Sequence, residues 1–414
     1  MRPSVPSVLL KPLFNTEDSE FHTEDTEENH PVLKKVIVSV TNDLTTDQRV
    51  DRVCNTLVKM GFDVLLVGRK LRKSLALKPR NYRTIRMKLL FTKGPFFYAE
   101  YNLRLFFFLL LHRADILVSN DLDTLLANYL ASGIRSRKSG ISASLRHPDL
   151  FHDCHEYFRG VPELNGRPVT VKAWKRIEDW IFPKLKTVYA VNQSVADLYH
   201  SEYGNSISVI RNVPVTKSSV EPKSRAALGI PEKNKIILYQ GAVNVDRGLE
   251  EAILAMKHVK TRATLLIIGT GDIIEKLKQL VREESLNDRV IFMGQIPLED
   301  LHPYTLMADL GLSIEKDVSI NYHYCLPNKF LDYIQARVPV LVSPMPEMLA
   351  ITEKYRIGEV IESHDPLYLA EKFDALLNDP VKLAEYRKNL ATAASELCWE
   401  KEEPILVKIF EPYA

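Results

Sequence analysis

The sequence predicts an α/β protein in two domains, and three observations predict it. The chain has 414 residues, more than one hydrophobic core usually organises, so two domains of roughly 150–200 residues are the natural division. From residue 34 onward, short runs of aliphatic and β-branched residues alternate with stretches of helical periodicity. Residues 216–234, rich in Ser, Pro, Lys and Glu, separate two such series and have the composition of a linker.

Residues 1–33 hold Glu17, Asp18, Glu20, Glu24, Asp25, Glu27 and Glu28 and little to bury, which reads as a disordered acidic arm. Order begins with Lys34–Val40, a buried strand, followed by a loop, a helix through Lys59, a stop at Gly61 and a strand at Val64–Val67. That is a right-handed strand–helix–strand crossover. The usual Gly-x-Gly-x-x-Gly turn of nucleotide sites is missing from it. Tyr98–His112 is very apolar; a core helix is the expected reading and a contact with a membrane surface the other. Ile116–Asp121 reads as a further strand that ends in polar residues, with Asp123 in the loop after it, and Leu150–Phe158 holds another strand end with His155-Glu156. Ligands of open parallel sheets sit at such carboxyl ends. Val188–Asn192 and Ser208–Pro214 close the first series.

The second series opens with Lys235–Gly241, continues with Thr264–Ile268 running into Gly269-Thr270-Gly271, then Val290–Gly294, Ala308–Ile314 and Val338–Val342. Between the last two strands lies Leu326-Pro327-Asn328-Lys329-Phe330-Leu331-Asp332-Tyr333. Pro327 fits the first position of a helix, where a proline gives up no hydrogen bond. The N–H groups of Asn328 and Lys329 then face the strand-end loop with the positive end of the helix dipole behind them, as in an anion site. Helical spacing puts Phe330, Leu331 and Ile334 on one side and Asn328, Lys329 and Asp332 on the other. A diphosphate could be met by the N–H groups and Lys329, and a ribose by Asp332; the alternative is an amphipathic helix with a wet polar face.

This segment resembles the family-4 glycosyltransferases, the large retaining group with the GT-B architecture of two Rossmann-like, doubly wound domains facing a central cleft. In that family a Glu-x7-Glu signature leads into a Gly-x-Pro-Val-Val strand, and Asp332 stands at the second, ribose-binding acid. Tyr324 replaces the first, in a Leu-Pro-Asn-Lys variant of the group. Gly241 to Glu250 is similar to the family's Gly-Arg-Leu and Lys-Gly segment, whose cations grip the donor pyrophosphate. Ala242 replaces the first cation and Arg247 stands at the second, so Lys329 is expected to supply the missing charge. Gly269 and Gly271 resemble the family's turn beside the nucleotide.

The resemblance implies transfer of a sugar, of hexosyltransferase type, from a nucleoside-diphosphate donor to a hydroxyl acceptor with retention and without an obligatory metal. Donor contacts would fall to Gly241, Arg247, Gly269, Gly271, Asn328, Lys329 and Asp332, and catalysis to His155, Arg247 and Lys329. His155-Glu156 resembles the family's Asp-x-His-Glu segment, in which a neighbouring carboxylate can fix the tautomer of the ring or raise its pKa. Asp43, Asp121 and Glu156 fall on the acceptor side, and the acceptor suggested is a polysaccharide or lipid-linked glycan. The domains implied are 34–215, 216–383 and a tail, 384–414, that crosses back to the first. The rivals are a sugar-nucleotide epimerase of the same architecture and a noncatalytic scaffold.

Composition limits the alternatives. A net charge of +2 in a chain with 26% charged residues gives no general attraction for nucleic acid. Cys54, Cys154, Cys325 and Cys398 are scattered, as reduced thiols and not as a disulfide frame or a zinc site. The greasiest run, Leu105–Leu111, is about a third of the ~20 residues needed to span a bilayer. No basic region and apolar core of a leader stands at the N-terminus, so the expected location is the cytoplasm or the inner face of the membrane.

Overall fold

The computed structural model describes residues 33–45, 47–72, 74, 76–138, 147–161, 164, 166–217 and 220–414. The acidic arm expected over 1–33 lies, except for Leu33, outside the described residues. The chain forms two compact units, one built mainly of residues up to Ile210 together with Glu403–Ala414, the other mainly of Arg211–Glu402.

The first unit is built on seven strands, β1 (Lys35–Asp43), β2 (Asp63–Lys70), β3 (Arg83–Lys88), β4 (Ile116–Asn120), β5 (Asp149–Cys154), β6 (Thr187–Ala190) and β7 (Ile207–Val209). Their order is β3-β2-β1-β4-β5-β6-β7, and every pairing is parallel. Parallel sheets bury both faces, so their strands need unbroken apolar runs, and Val36–Val38, Leu117 and Val118 are buried accordingly. The crossover from β1 to β2 is the helix Gln48–Lys59; Asp47 caps it by accepting from the Val50 N–H, and Gly61 turns the chain at φ +89°. The strand order reverses between β1 and β4, which makes their carboxyl ends the switch point.

The second unit repeats the plan with β8 (Lys235–Gln240), β9 (Ala263–Ile268), β10 (Val290–Gly294), β11 (Leu310–Ser313), β12 (Val340–Val342) and β13 (Gly358–Val360). The order is β10-β9-β8-β11-β12-β13, again parallel throughout. One face is covered around Tyr239, Leu249, Ile267 and Phe373, the other around Leu238, Leu266, Phe330 and Ile334. The switch point lies between β8 and β11.

Helix Asn328–Gln335 is locked onto that point. Gly311 on β11 leaves room for the Tyr333 ring, since a Cβ there would stand 2.6 Å from it. The Tyr333 hydroxyl donates to the Leu238 carbonyl at 3.0 Å and accepts from the Gln240 N–H at 3.2 Å. Pro327 is the residue before the helix and not its first: its ψ of 139° is extended, and the Phe330 N–H reaches its carbonyl at 3.1 Å.

Two other expectations need revision. The resemblance implies a tail from residue 384, but helix Pro380–Glu396 buries Leu390, Ala393 and Ala394 in the core of the second unit. Only Glu403–Ala414 belongs to the first unit, where Phe410 lies 4.5 Å from the Phe151 ring. Helix Gly94–Leu111, expected as a core helix, buries Phe97, Tyr101, Leu105, Phe108 and Leu109 but leaves Phe96, Leu103, Phe107 and Leu111 exposed. Among the described residues no helix is long and apolar enough to cross a membrane.

Candidate functional site

In the second unit the residues just past β8 and β11 converge on a carboxylate. Glu315 is fully buried; its Oε1 pairs with Lys329 Nζ and lies 3.6 Å from Arg247 Nη1. Ser313 Oγ donates to its Oε2 at 3.0 Å, and Ser343 Oγ to its carbonyl at 2.6 Å. Burial pushes the Glu315 carboxyl up, but Lys329 and then Arg247 outweigh it and hold the group below the usual range. For both cations burial pulls down and Glu315 pushes up, with a net rise, so all three groups stay charged. Lys329 Nζ sits 4.4 Å from the centre of the Tyr239 ring and Arg247 Cζ 4.5 Å from that of Tyr322. Two cations against one carboxylate leave a surplus positive charge, and Arg247 Nε is buried without a hydrogen-bond partner among the described residues.

The loop around the cluster depends on glycine. Gly241 has φ +126°, and a Cβ on it would stand 3.5 Å from Lys329 Cε. Gly269, at φ +141°, would drive a Cβ to 1.8 Å from the Gly241 carbonyl, and Gly271 would place one 2.2 Å from that of Val243. These two glycines let adjacent strand-end loops stack backbone on backbone.

Helix Asn328–Gln335 does not present its three polar residues alike. Asn328 is exposed and accepts from Asn212 Nδ2 at 2.8 Å, Asp332 is half-buried, and Lys329 is turned inward by Glu315 and the Tyr239 ring. Asp332 Oδ2 accepts from Gln240 Nε2 at 3.1 Å, while Gln240 Oε1 accepts from Thr305 Oγ1 at 2.8 Å, which fixes the way the amide points. Tyr324 stands at the end of the short helix Ile320–His323, with its ring against His323.

In the first unit the polar residues after β4 and β5 enclose His155. Its Nε2 lies 3.0 Å from Asn120 Oδ1 and 3.2 Å from Asp153 Oδ2, its Nδ1 3.6 Å from Asp121 Oδ2, and its backbone N–H donates to Asp121 Oδ1 at 2.8 Å. Asp153 is itself clamped by Arg49, whose Nη2 and Nε reach its two oxygens at 2.7 and 3.0 Å. Burial pushes Asp153 up, but Arg49 and His155 outweigh it and bring it to about 2. Burial pulls His155 down, and Asp121 and Asp153 raise it to about 9. At neutral pH the ring is an imidazolium, a donor and not a base.

Asp121 and Asp153 are the carboxylates that raise His155 most, and Glu156 raises Asp121 and Asp123 in turn. Asp121 takes φ +57°, and burial pushes its carboxyl well up. Asp123 is buried, with Thr41 Oγ1 donating to it at 2.5 Å, and burial raises it to about 7. The Asp43 carboxylate accepts from the Thr45 N–H at 3.3 Å and from the Ser74 hydroxyl, beside an irregularity in β1. His152 is buried against Ser119, and burial takes it down to about 4.

Glu315, Gln240 and Tyr239 in the second unit, and Arg49 and Asn120 in the first, were not singled out from sequence; Asp153 stood only as the first residue of the Asp-x-His-Glu segment. Glu315 had a signal: a charged residue directly after the apolar run Leu310–Ile314. Arg49, 104 positions from Asp153, had none.

Two parallel, doubly wound units, each with its polar loops at a switch point, define the GT-B class. Residues 47–213 match the model of Glycosyltransferase Family 4, and residues 220–396 that of Glycosyl transferases group 1. The chain belongs to the GT-B glycosyltransferases of the family-4 type. A D-inositol 3-phosphate glycosyltransferase of Xylanimonas cellulosilytica is 20% identical over 195 residues, 45% of this chain and 44% of that protein. The chain thus matches less than half the length of this curated relative. Sucrose-phosphate synthase from Thermosynechococcus elongatus superposes with a TM-score of 0.74 at 18% identity, over 92% of this chain and 98% of that one. HepE from Anabaena, in complex with UDP and glucose, superposes with a TM-score of 0.69 at 14% identity, over 92% and 100%.

Proposed function

We propose that the protein transfers a sugar from a nucleoside diphosphate to a hydroxyl acceptor with retention of configuration. The observation that carries this reading is the Lys329–Glu315–Arg247 cluster at the β8/β11 switch point, a buried surplus of positive charge beside the start of helix Asn328–Gln335. A diphosphate gains negative charge as the glycosidic C–O bond breaks, and fixed cations in a dry site stabilise that charge. Lys329 and Arg247 serve this role, which calls for no metal; Asp332, oriented by Gln240, takes the ribose. The complex of HepE with UDP and glucose supports a nucleotide sugar as donor.

His155 donates to a sugar hydroxyl through Nδ1–H, because Nε2 is held by Asn120 and Asp153. As an imidazolium it cannot take the acceptor proton, which leaves a phosphate oxygen of the departing diphosphate to receive it, on the face that gives retention. Asp43, Asp121 and Glu156 belong to the acceptor side, and a polysaccharide or lipid-linked glycan is the acceptor class.

The test is a binding panel of UDP, GDP, ADP and CMP sugars, followed by NMR of the product anomer with the donor that binds. Binding of one nucleoside diphosphate sugar and an unchanged anomeric configuration are expected. No binding across the panel, or an inverted product, overturns the reading.

A further inference from the structure

The helix Gly94–Leu111 has two apolar faces, and only one is used. At roughly 100° per residue, Phe96, Leu103, Phe107 and Leu111 fall in one arc of about 80° on the side away from Phe97, Tyr101 and Leu105. They are 70%, 58%, 50% and 59% exposed. The lead-in adds Leu90 and Phe91, at 80% and 47%. This surface is built and not frayed: the Glu100 carboxylate accepts from the N–H groups of Leu90 and Phe91 at 2.9 and 3.0 Å, and the Phe91 and Phe96 rings lie 5.4 Å apart.

The chain that leads into the helix supplies the second observation. Residues 69–93 contain ten Lys and Arg and no Asp or Glu. Arg80 and Arg83 are engaged by Asp51 and Asp63, whereas Arg72, Lys88 and Lys93 are exposed, as is Arg113 beyond the far end of the helix. An exposed aromatic and aliphatic stripe flanked by unopposed positive charge matches the interface of an anionic bilayer, where apolar side chains enter the headgroup boundary and Lys and Arg meet lipid phosphates.

We propose that this face docks the first unit on an anionic lipid surface, with the helix lying in the interface plane. Aliphatic Leu90, Leu103 and Leu111 fit acyl chains better than nucleobases, and the one-sided charge disfavours a second copy of the same face. The proposal does not depend on the transfer reading, because its test contains no sugar nucleotide.

The experiment is flotation of the full chain with vesicles of phosphatidylcholine alone or with added phosphatidylglycerol, at low and high salt. The wild type should float with the anionic vesicles, weakly with the neutral ones, and less as salt rises. Phe96→Ser with Phe107→Ser, and separately Lys88→Glu with Lys93→Glu, should each lower partition by at least ~tenfold with the melting temperature held. Equal partition of wild type and variants, or of neutral and anionic vesicles, overturns the proposal. So does a dimer, or retention of an RNA oligonucleotide, that the same substitutions abolish when no vesicle binding is seen.

Discussion

The buried carboxylate of Glu315 sets the character of the donor-side cluster. Removing it strands two desolvated cations, and loss of one partner of a buried ion pair typically costs about 3–5 kcal/mol. Glu315→Gln keeps the shape and should lower denaturant stability by an amount of that order. Saturating UDP should then recover more stability in the variant than in the wild type, because the diphosphate replaces the lost negative charge. Equal ligand-induced shifts in melting temperature would show that the diphosphate goes elsewhere.

His155 makes a second residue-scale prediction. Its folded pKa, about 9, lies above the unfolded value of ~6.5. Its contribution is thus complete below pH ~6.5 and disappears as pH rises through 9, by an amount on the order of 1–3 kcal/mol. Unfolding free energies between pH 6 and 10 should show this decline in the wild type and a flatter profile in His155→Gln. The sequence showed His155 as a strand-end histidine beside an acid. It could not show that Asp121, brought alongside by the β4–β5 pairing, shares control of the ring with Asp153, two residues before it.

At the scale of elements, strands and crossover helices were legible because parallel sheets need unbroken apolar runs. The helix Asn328–Gln335 was legible too, but not its rotation. Periodicity grouped Lys329 with Asn328 and Asp332, whereas a buried carboxylate just past β11, Glu315, pulled it inward. The glycines were legible as turns but not as contacts. Gly269→Ala meets both φ +141° and the Gly241 carbonyl and should cost about 2–4 kcal/mol. Gly61→Ala, at φ +89° with nothing within 4 Å, should cost only about 1 kcal/mol. Chemical denaturation of the two variants checks the ordering, and equal losses would contradict the stacked-loop account.

For the whole molecule, length and the linker announced two units, but the return of the last residues to the first came only by family resemblance, and its boundary moved from 384 to Glu403. Phe410 is fully buried against Phe151 and Phe62, so Phe410→Ala should cost about 3–5 kcal/mol. Hydrogen exchange should accelerate in β2 and β5 and not in β8–β13; acceleration confined to the second unit would contradict the division.

The central claim is that Lys329 and Arg247 hold a diphosphate. The most direct measurement is calorimetric titration with UDP, or with whichever nucleoside diphosphate the panel selects. It compares Glu315→Gln alone with Glu315→Gln carrying Lys329→Met, a background in which no buried carboxylate is left unpaired. The account predicts that adding Lys329→Met weakens affinity by at least ~tenfold; unchanged affinity in the folded double variant would contradict it.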